Sequence, residues 1–219
     1  EPGKRLTIQT DYVSPIGNGG RLESGVKAIL RKDNSNYLVW ESDSTTQSWI
    51  LNQIYSNDFT YMEQIYSGYA SYSNTWGKLS YMGGVRLEQS FTKSEQKTTD
   101  STFNKNIFSI FPSLHLSFEV AKGHDFILSY SRRINRPRSR YINPFLVKQD
   151  PNNVSYGNPN INPEYVNSYE VGYGFKKART NITTTFFYRQ TTDVIAQKVT
   201  LVNNIFETTY DNLNNSINY

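Results

Sequence analysis

Charge is confined to one side of an alternating pattern in this chain, and that confinement limits what the chain can fold into. Period-2 alternation runs through nearly every regular stretch, and helical periodicity is almost absent. From Arg5 to Val13, Leu6, Ile8 and Tyr12 fall on one face and Thr7, Gln9 and Asp11 on the other. From Arg21 to Lys32, Leu22, Val26, Ala28 and Leu30 oppose Glu23, Lys27 and Arg31. Leu79, Tyr81, Val85 and Leu87 oppose Ser80, Arg86 and Glu88, and Leu114, Leu116 and Phe118 oppose Ser113, His115, Ser117 and Glu119. The same holds for Phe126, Leu128 and Tyr130, for Tyr169, Val171, Tyr173 and Phe175, and for Ile182, Phe186 and Tyr188. One strand, Tyr61 to Tyr72, has no readable facing, because tyrosines occupy both registers. Elsewhere Asp11, Glu23, Lys27, Arg86, Glu88, Glu119, Glu170 and Arg189 all share the polar register, and the apolar register is uncharged until strand ends such as Arg132.

Connection lengths alternate as strictly as the side chains. Short turns are expected at 14–20, 73–77, 121–124 and 176–180, and long polar connections at 33–58, 92–106, 134–163 and after 190. Up-and-down membrane barrels have this asymmetry, with short periplasmic turns and long extracellular loops. A charge facing lipid at mid-depth costs about 2–4 kcal/mol, so a bilayer also imposes the one-sided charge. A sheet with one face on a soluble core alternates too, but has no reason to sort loops by length. The predicted fold is all-β, an antiparallel up-and-down transmembrane β-barrel. The mean hydropathy of −0.63 does not oppose this, because lipid-facing and lumen-facing residues average out. No stretch approaches the roughly 18 apolar residues of a membrane helix. Seventeen Tyr and twelve Phe suit both strands and interfacial girdles. The net charge of +4 comes from scattered Lys and Arg, which argues against a nucleic-acid partner.

Several segments, in order along the chain, carry a family likeness: Asp11-Tyr12 with Pro15-Ile16, Leu22 to Lys27, Phe59 to Glu63, Gly84 to Glu88, Phe111 to Ser113, Tyr130 to Pro137, Asn143 to Phe145, Gly157 to Tyr165 and Asp193 to Ile195. With these the chain resembles the barrel of TonB-dependent receptor-like outer-membrane proteins of the Bacteroidetes type. The resemblance implies a large barrel of about 22 strands, plugged by an N-terminal domain. Residues 1–219 would be a single segment of it, with about eight transmembrane strands and no plug. It further implies a place in the outer membrane of a Gram-negative cell, among its lipids, and uptake of an unidentified solute. The plug and an energy-coupling inner-membrane complex would be partners. A non-transporting structural or adhesion barrel, and a soluble all-β binding module, stand as alternatives. Glu1 to Lys4 reads as the start of a mature or excised piece, and Asn212 to Tyr219 as a polar run short of a complete strand. The strands Arg5 to Val13 and Ile182 to Arg189 are accordingly expected not to pair with each other. In the family an aromatic often follows the Arg-Pro, whereas Arg138 and Ser139 follow here, so the family's loop contacts are not carried over.

No enzymatic chemistry can be assembled. There are two His and no Cys, and no nucleophile elbow, phosphate loop, metal site or cofactor motif. His115, flanked by Leu114 and Leu116 on the polar register, reads as a hydrogen-bonded wall residue. Arg86 and Glu88 share a face, either as a lumen cluster meeting plug or solute or as a wall ion-pair ladder. Arg132, Arg133 and Arg136 stand at the loop mouth, to bind an anionic solute or to anchor loop carbonyls, carboxylates and headgroups. The Asn-Pro repeats in 143–163 read as rigid turn scaffolding, with glycan binding by Tyr141, Phe145 and Tyr156 as the alternative reading. The candidate contacts are therefore Arg86, Glu88, Arg133, Arg136, Tyr141, Phe145 and Tyr156.

Overall fold

The computed structural model describes residues 3–43, 47–52 and 56–219. Its strands are β1 (Lys4–Ile16), β2 (Gly20–Tyr37), β3 (Trp40–Asp43), β4 (Ser48–Leu51), β5 (Asn57–Trp76), β6 (Leu79–Gln96), β7 (Ser101–Ala121), β8 (His124–Asn135), β9 (Val147–Asp150), β10 (Asn153–Ser155), β11 (Glu164–Lys177), β12 (Thr180–Val202) and β13 (Ile205–Asn218). One helical turn, α1 (Ser139–Ile142), interrupts them. A single sheet runs in the order β1-β2-β5-β6-β7-β8-β11-β12-β13-β10-β9, and β3 pairs with β4 in a separate hairpin.

Register assigns the faces. Thr10, Val26, Gly68, Leu87 and Ile110 are successive partners across β1, β2, β5, β6 and β7, and directly opposed residues share a face. The strand with two tyrosine registers is thereby resolved: Tyr66, Gly68 and Ala70 lie with Val26, and Tyr61, Glu63 and Tyr69 lie on the other side. The first of these faces is apolar and bare, with Val26 63%, Phe126 50%, Val171 49% and Phe186 74% exposed. The second hides polar groups, with Glu63, Glu88, Ser90, Ser109 and Ser168 all buried. A water-soluble sheet has the reverse arrangement, so the bare apolar face is the lipid face. Arg86, Glu88, Glu119, Glu170 and Arg189 all sit on the inner register.

The short turns gather at one end. Arg21 partners Ser73, Leu79 partners Phe118, and Phe175 partners His124, which brings the turns after β1, β5, β7 and β11 to one level. On the inner face above them, Gly25 leaves room for the Tyr69 ring, whose hydroxyl donates to Asp11 Oδ1 at 2.7 Å. A Cβ at Gly25 would stand 2.6 Å from that ring.

Two expectations need correction. The 92–106 stretch is a continuous hairpin rather than a loop, with β6 and β7 paired to Gln96 and Ser101. The residues after 190 are not a long polar connection either, because β12 runs on to Val202 and β13 pairs with it from Ile205 to Asn218. The cause is common to both. By strand rise and tilt, Arg189 stands roughly 20–25 Å above Thr180, near the top of an apolar band about 25 Å tall. Above that band no lipid enforces apolar alternation, so pairing persists without its sequence signal. β13 meets β12 only from Arg189 upward. The lower half of β12 therefore has β11 as its one partner, β1 has only β2, and β1 and β12 do not pair.

Candidate functional site

The connection between β8 and β11 folds inward across the concave face. Pro137 ends the extended run, and Arg136 just before it points back at the wall. Its guanidinium donates from Nη2 to Glu88 Oε1, and its Nε lies 3.6 Å from Glu63 Oε1. Glu63 and Glu88 are 6% and 4% exposed. Two carboxylates this dry need a cation, and Arg136 supplies it from the loop. Arg86 adds a weaker contact, with Nη1 3.8 Å from Glu88 Oε2 and its guanidinium 4.5 Å over the Phe111 ring. Tyr61 donates to Glu63 Oε1 at 3.3 Å.

Farther along, the loop is gripped from two sides. Lys105 on β7 donates to Asn160 O at 2.9 Å, Ile161 O at 2.7 Å and Asn162 Oδ1 at 2.9 Å. Asn162 N donates to Asn212 Oδ1 on β13 at 2.7 Å, and Asn212 Nδ2 donates back to Asn162 O at 3.1 Å. Between these anchors Ile142 and Ile161 pack on Phe59 and Tyr61 as a buried apolar cluster. The loop's own turns hold it in shape. Gly157 N donates to Asn143 O at 2.7 Å, and a Cβ at Gly157 would stand 2.6 Å from that oxygen. The segment Asn153–Ser155 adds to β13 as a parallel strand, with β9 folded against it.

Two spaces result. A cavity of about 250 Å³ lies between loop and wall, lined by Glu63, Lys105, Arg136, Ile161 and hydroxyls such as Ser90 and Thr92. A second, of about 400 Å³, is lined by Tyr37, Asn57, Phe145, Tyr156, Gln197 and Tyr210. Tyr156 donates to Glu207 Oε2 at 3.2 Å, and burial followed by that carboxylate pushes its phenol up. Tyr141 packs on Tyr210 with ring centroids 4.1 Å apart. Arg140 donates to the Tyr141 hydroxyl at 3.1 Å and holds that phenol below its usual range.

The sequence candidates thus divide. Arg86, Glu88 and Arg136 form one cluster, Phe145 and Tyr156 line one space, and Tyr141 stands beside it on Tyr210. Arg133 joins neither group: it is exposed on β8, and its side chain makes no hydrogen bond or ion pair to the described residues. Sequence reasoning missed Glu63, because its strand's facing was unreadable, and Lys105, because its strand was taken for a loop. Asn212 fell in the polar run read as incomplete. Among the described residues no three His, Asp or Glu side chains are grouped to hold a metal.

The outer membrane protein β-barrel family model matches residues 1–219. The chain belongs to that family, and its place is the outer membrane. No curated protein matches it. Among solved structures, the barrel chain is similar in fold to the copper transporter OprC, at 11% identity and a TM-score of 0.68 over 96% of this chain and 33% of that one. It is similar to the ferric-catecholate import receptor Fiu from E. coli K12, at 14% identity and a TM-score of 0.66 over 98% of this chain and 34% of that one. It is also similar to the Serratia marcescens hemophore receptor HasR, solved with its hemophore HasA and heme, at 12% identity and a TM-score of 0.61 over 98% and 48% of the two chains. The barrel chain spans about a third of OprC and Fiu and about half of HasR. Its fold is that of the barrel of TonB-dependent receptors.

Proposed function

We propose that this chain is part of the wall of a TonB-dependent receptor-like protein that takes up a solute across the outer membrane, and that the 136–163 loop closes the external entrance. The observation carrying this reading is the dry Glu63–Arg136–Glu88 cluster, which ties an external loop across the inner face. A wall built only for structure has no need to bury two carboxylates against a loop cation. The free edges of β1 and of lower β12 lie in hydrocarbon, which does not tolerate unpaired backbone groups. Further strands would complete the barrel, and a plug and an inner-membrane energy complex would act with it. In this reading the chain's part is binding and gating.

The test uses a cysteine lock in the full-length protein. Residues 1–219 hold no Cys; with any Cys elsewhere replaced by Ser, Asn162→Cys with Asn212→Cys places one disulfide between loop and wall. Growth of a deletion strain complemented with wild type or locked protein is followed on a panel of ferric chelates, heme, copper and oligosaccharides. At least one source should support growth only with an intact energy-coupling complex, and the lock should abolish it until a reductant is added. Equal growth of locked and unlocked strains on every source, or indifference to energy coupling, would refute uptake and leave a structural or adhesion barrel.

A further inference from the structure

We infer that the upper edge of β7 is a docking site for an extended segment of another polypeptide at the cell surface. β7 keeps β6 as a partner from Phe118 up to Ser101. It keeps β8 only from Ala121 up to Ser113, which pairs with Ser131. Pro112 stands next and has no N–H to offer. β8 itself stops at Asn135, β11 starts at Glu164, and β12 pairs with β11 no higher than Thr192. The wall therefore has a notch between upper β7 and upper β12. Two strand places are empty there, which makes it about 14 Å wide. Phe108 stands roughly 30–35 Å above the short turn after β7, clear of an apolar band about 25 Å tall.

The β7 side of the notch is bare backbone. Glu119 N donates to Lys78 O at 2.9 Å, and the β6–β7 register is unbroken above it. Such a ladder alternates, so odd-numbered residues of β7 turn to β6 and even-numbered residues turn away. Thr102, Asn104, Asn106 and Phe108 thus point their N–H and C=O groups into the notch, where they meet no partner among the described residues. Lower down, side chains fill the gap: the Tyr165 hydroxyl lies 2.9 Å from Ser109 Oγ, and the Arg132 guanidinium lies 4.9 Å over the Tyr165 ring. Natural sheets cover their edges or guard them with charge. The only charge between Ser101 and Phe108 is Lys105, which shares the inner register of Glu63 and is engaged by the loop.

The edge selects its occupant. Backbone donors and acceptors repeating at every second residue are matched by another extended chain, and by neither a lipid nor a sugar. The cavity of about 250 Å³ adjoins this edge, lined by Thr102 and Asn104 from one register of β7 and by Phe103 and Ile107 from the other. Ile142 and Ile161 add apolar surface. An apolar cavity of about 150 Å³ already holds benzene, so this one takes an aromatic side chain of the docked strand. That strand lies antiparallel to β7, in the place above β8. The inference rests on the outer-membrane placement and not on uptake, since an adhesion barrel would present the same edge.

Phage-displayed random linear peptides, selected on the full-length protein in nanodiscs, supply the probe. The selected peptide is then synthesised and its binding read by fluorescence anisotropy. It should alternate in sequence and carry an aromatic residue. N-methylation walked along the peptide should cut binding at every second residue and spare those between. Asn104→Pro with Asn106→Pro removes N–H groups that face the notch and none that face β6, so β7 should stay paired while binding falls about tenfold or more. Ser94→Leu fills the cavity, and should weaken the peptide unless its aromatic residue has already been replaced by Ala. Heat-modifiability on gels confirms folding of each variant, and the N-methyl series decides the matter on the wild type if the proline variant does not fold. A library that yields no binder, N-methyl losses without the two-residue period, or unchanged binding to the folded proline variant would overturn the inference. Wild-type dimers abolished by the proline substitutions would overturn it too, by assigning the edge to a second copy of the chain.

Discussion

Removing the loop cation isolates what holds the 136–163 loop against the wall. In Arg136→Gln, the Glu63 and Glu88 carboxyls keep their burial, with side chains 7% and 5% exposed, and lose their shared partner. Breaking a buried ion pair from one side costs about 3–5 kcal/mol, because a charge is left unmatched. Arg86 still reaches Glu88 at 3.8 Å, which places the effect at the lower end, about 3 kcal/mol. Relief comes most readily by releasing the loop and wetting the carboxylates, so the released population should rise on the order of a hundredfold. Ile161 offers a reporter position: it is 2% exposed, residues 1–219 hold no Cys, and any Cys elsewhere in the full-length protein is replaced by Ser. Maleimide labelling of Ile161→Cys in the full-length protein then reads loop opening directly. Arg136→Gln should accelerate labelling about a hundredfold, and Arg136→Lys less. Adding Glu63→Gln and Glu88→Gln to Arg136→Gln removes the buried charges and should bring the rate most of the way back. Labelling rates within about twofold in all these backgrounds would refute the latch.

Other consequences follow from the same geometry. Leu116→Arg places a charge on lipid at a cost of about 2–4 kcal/mol, whereas Ser117→Arg faces the lumen; heat-modifiability and membrane extraction should show an insertion defect in the first only, and equal defects would count against the assigned faces. Lys105→Met removes three charge-assisted hydrogen bonds from Asn160, Ile161 and Asn162; at about 1.5–3 kcal/mol for such a bond, discounted for sharing one ammonium, hydrogen exchange across 158–163 should rise at least tenfold. The Tyr156 phenol is raised in the folded state, so its contribution is fully present below the ordinary tyrosine value of about 10 and is lost as pH climbs through its higher folded value. Protease sensitivity of β10 should therefore stay flat up to about pH 10 and increase from there through the folded value, and Tyr156→Phe should abolish that alkaline increase.

Alternation was enough to specify the sheet, its two faces and the end at which the short turns lie, because a bilayer allows charge on one register only. Leu116 against Ser117 and Val171 against Glu170 were readable for that reason. The signal stopped where the bilayer stops. Thr92 to Gln96 and Ile205 to Asn218 are paired strands above the apolar band, held by backbone hydrogen bonds that carry no residue pattern. The Asn-Pro run was legible as turn scaffolding, since proline and asparagine set local backbone geometry. Where that scaffold would go was not. Tertiary structure brought Arg136 to Glu63, 73 positions away, and Lys105 to Ile161, 56 positions away. These meetings depend on the path of the connection between β8 and β11, which crosses the inner face to reach β5, β6 and β7.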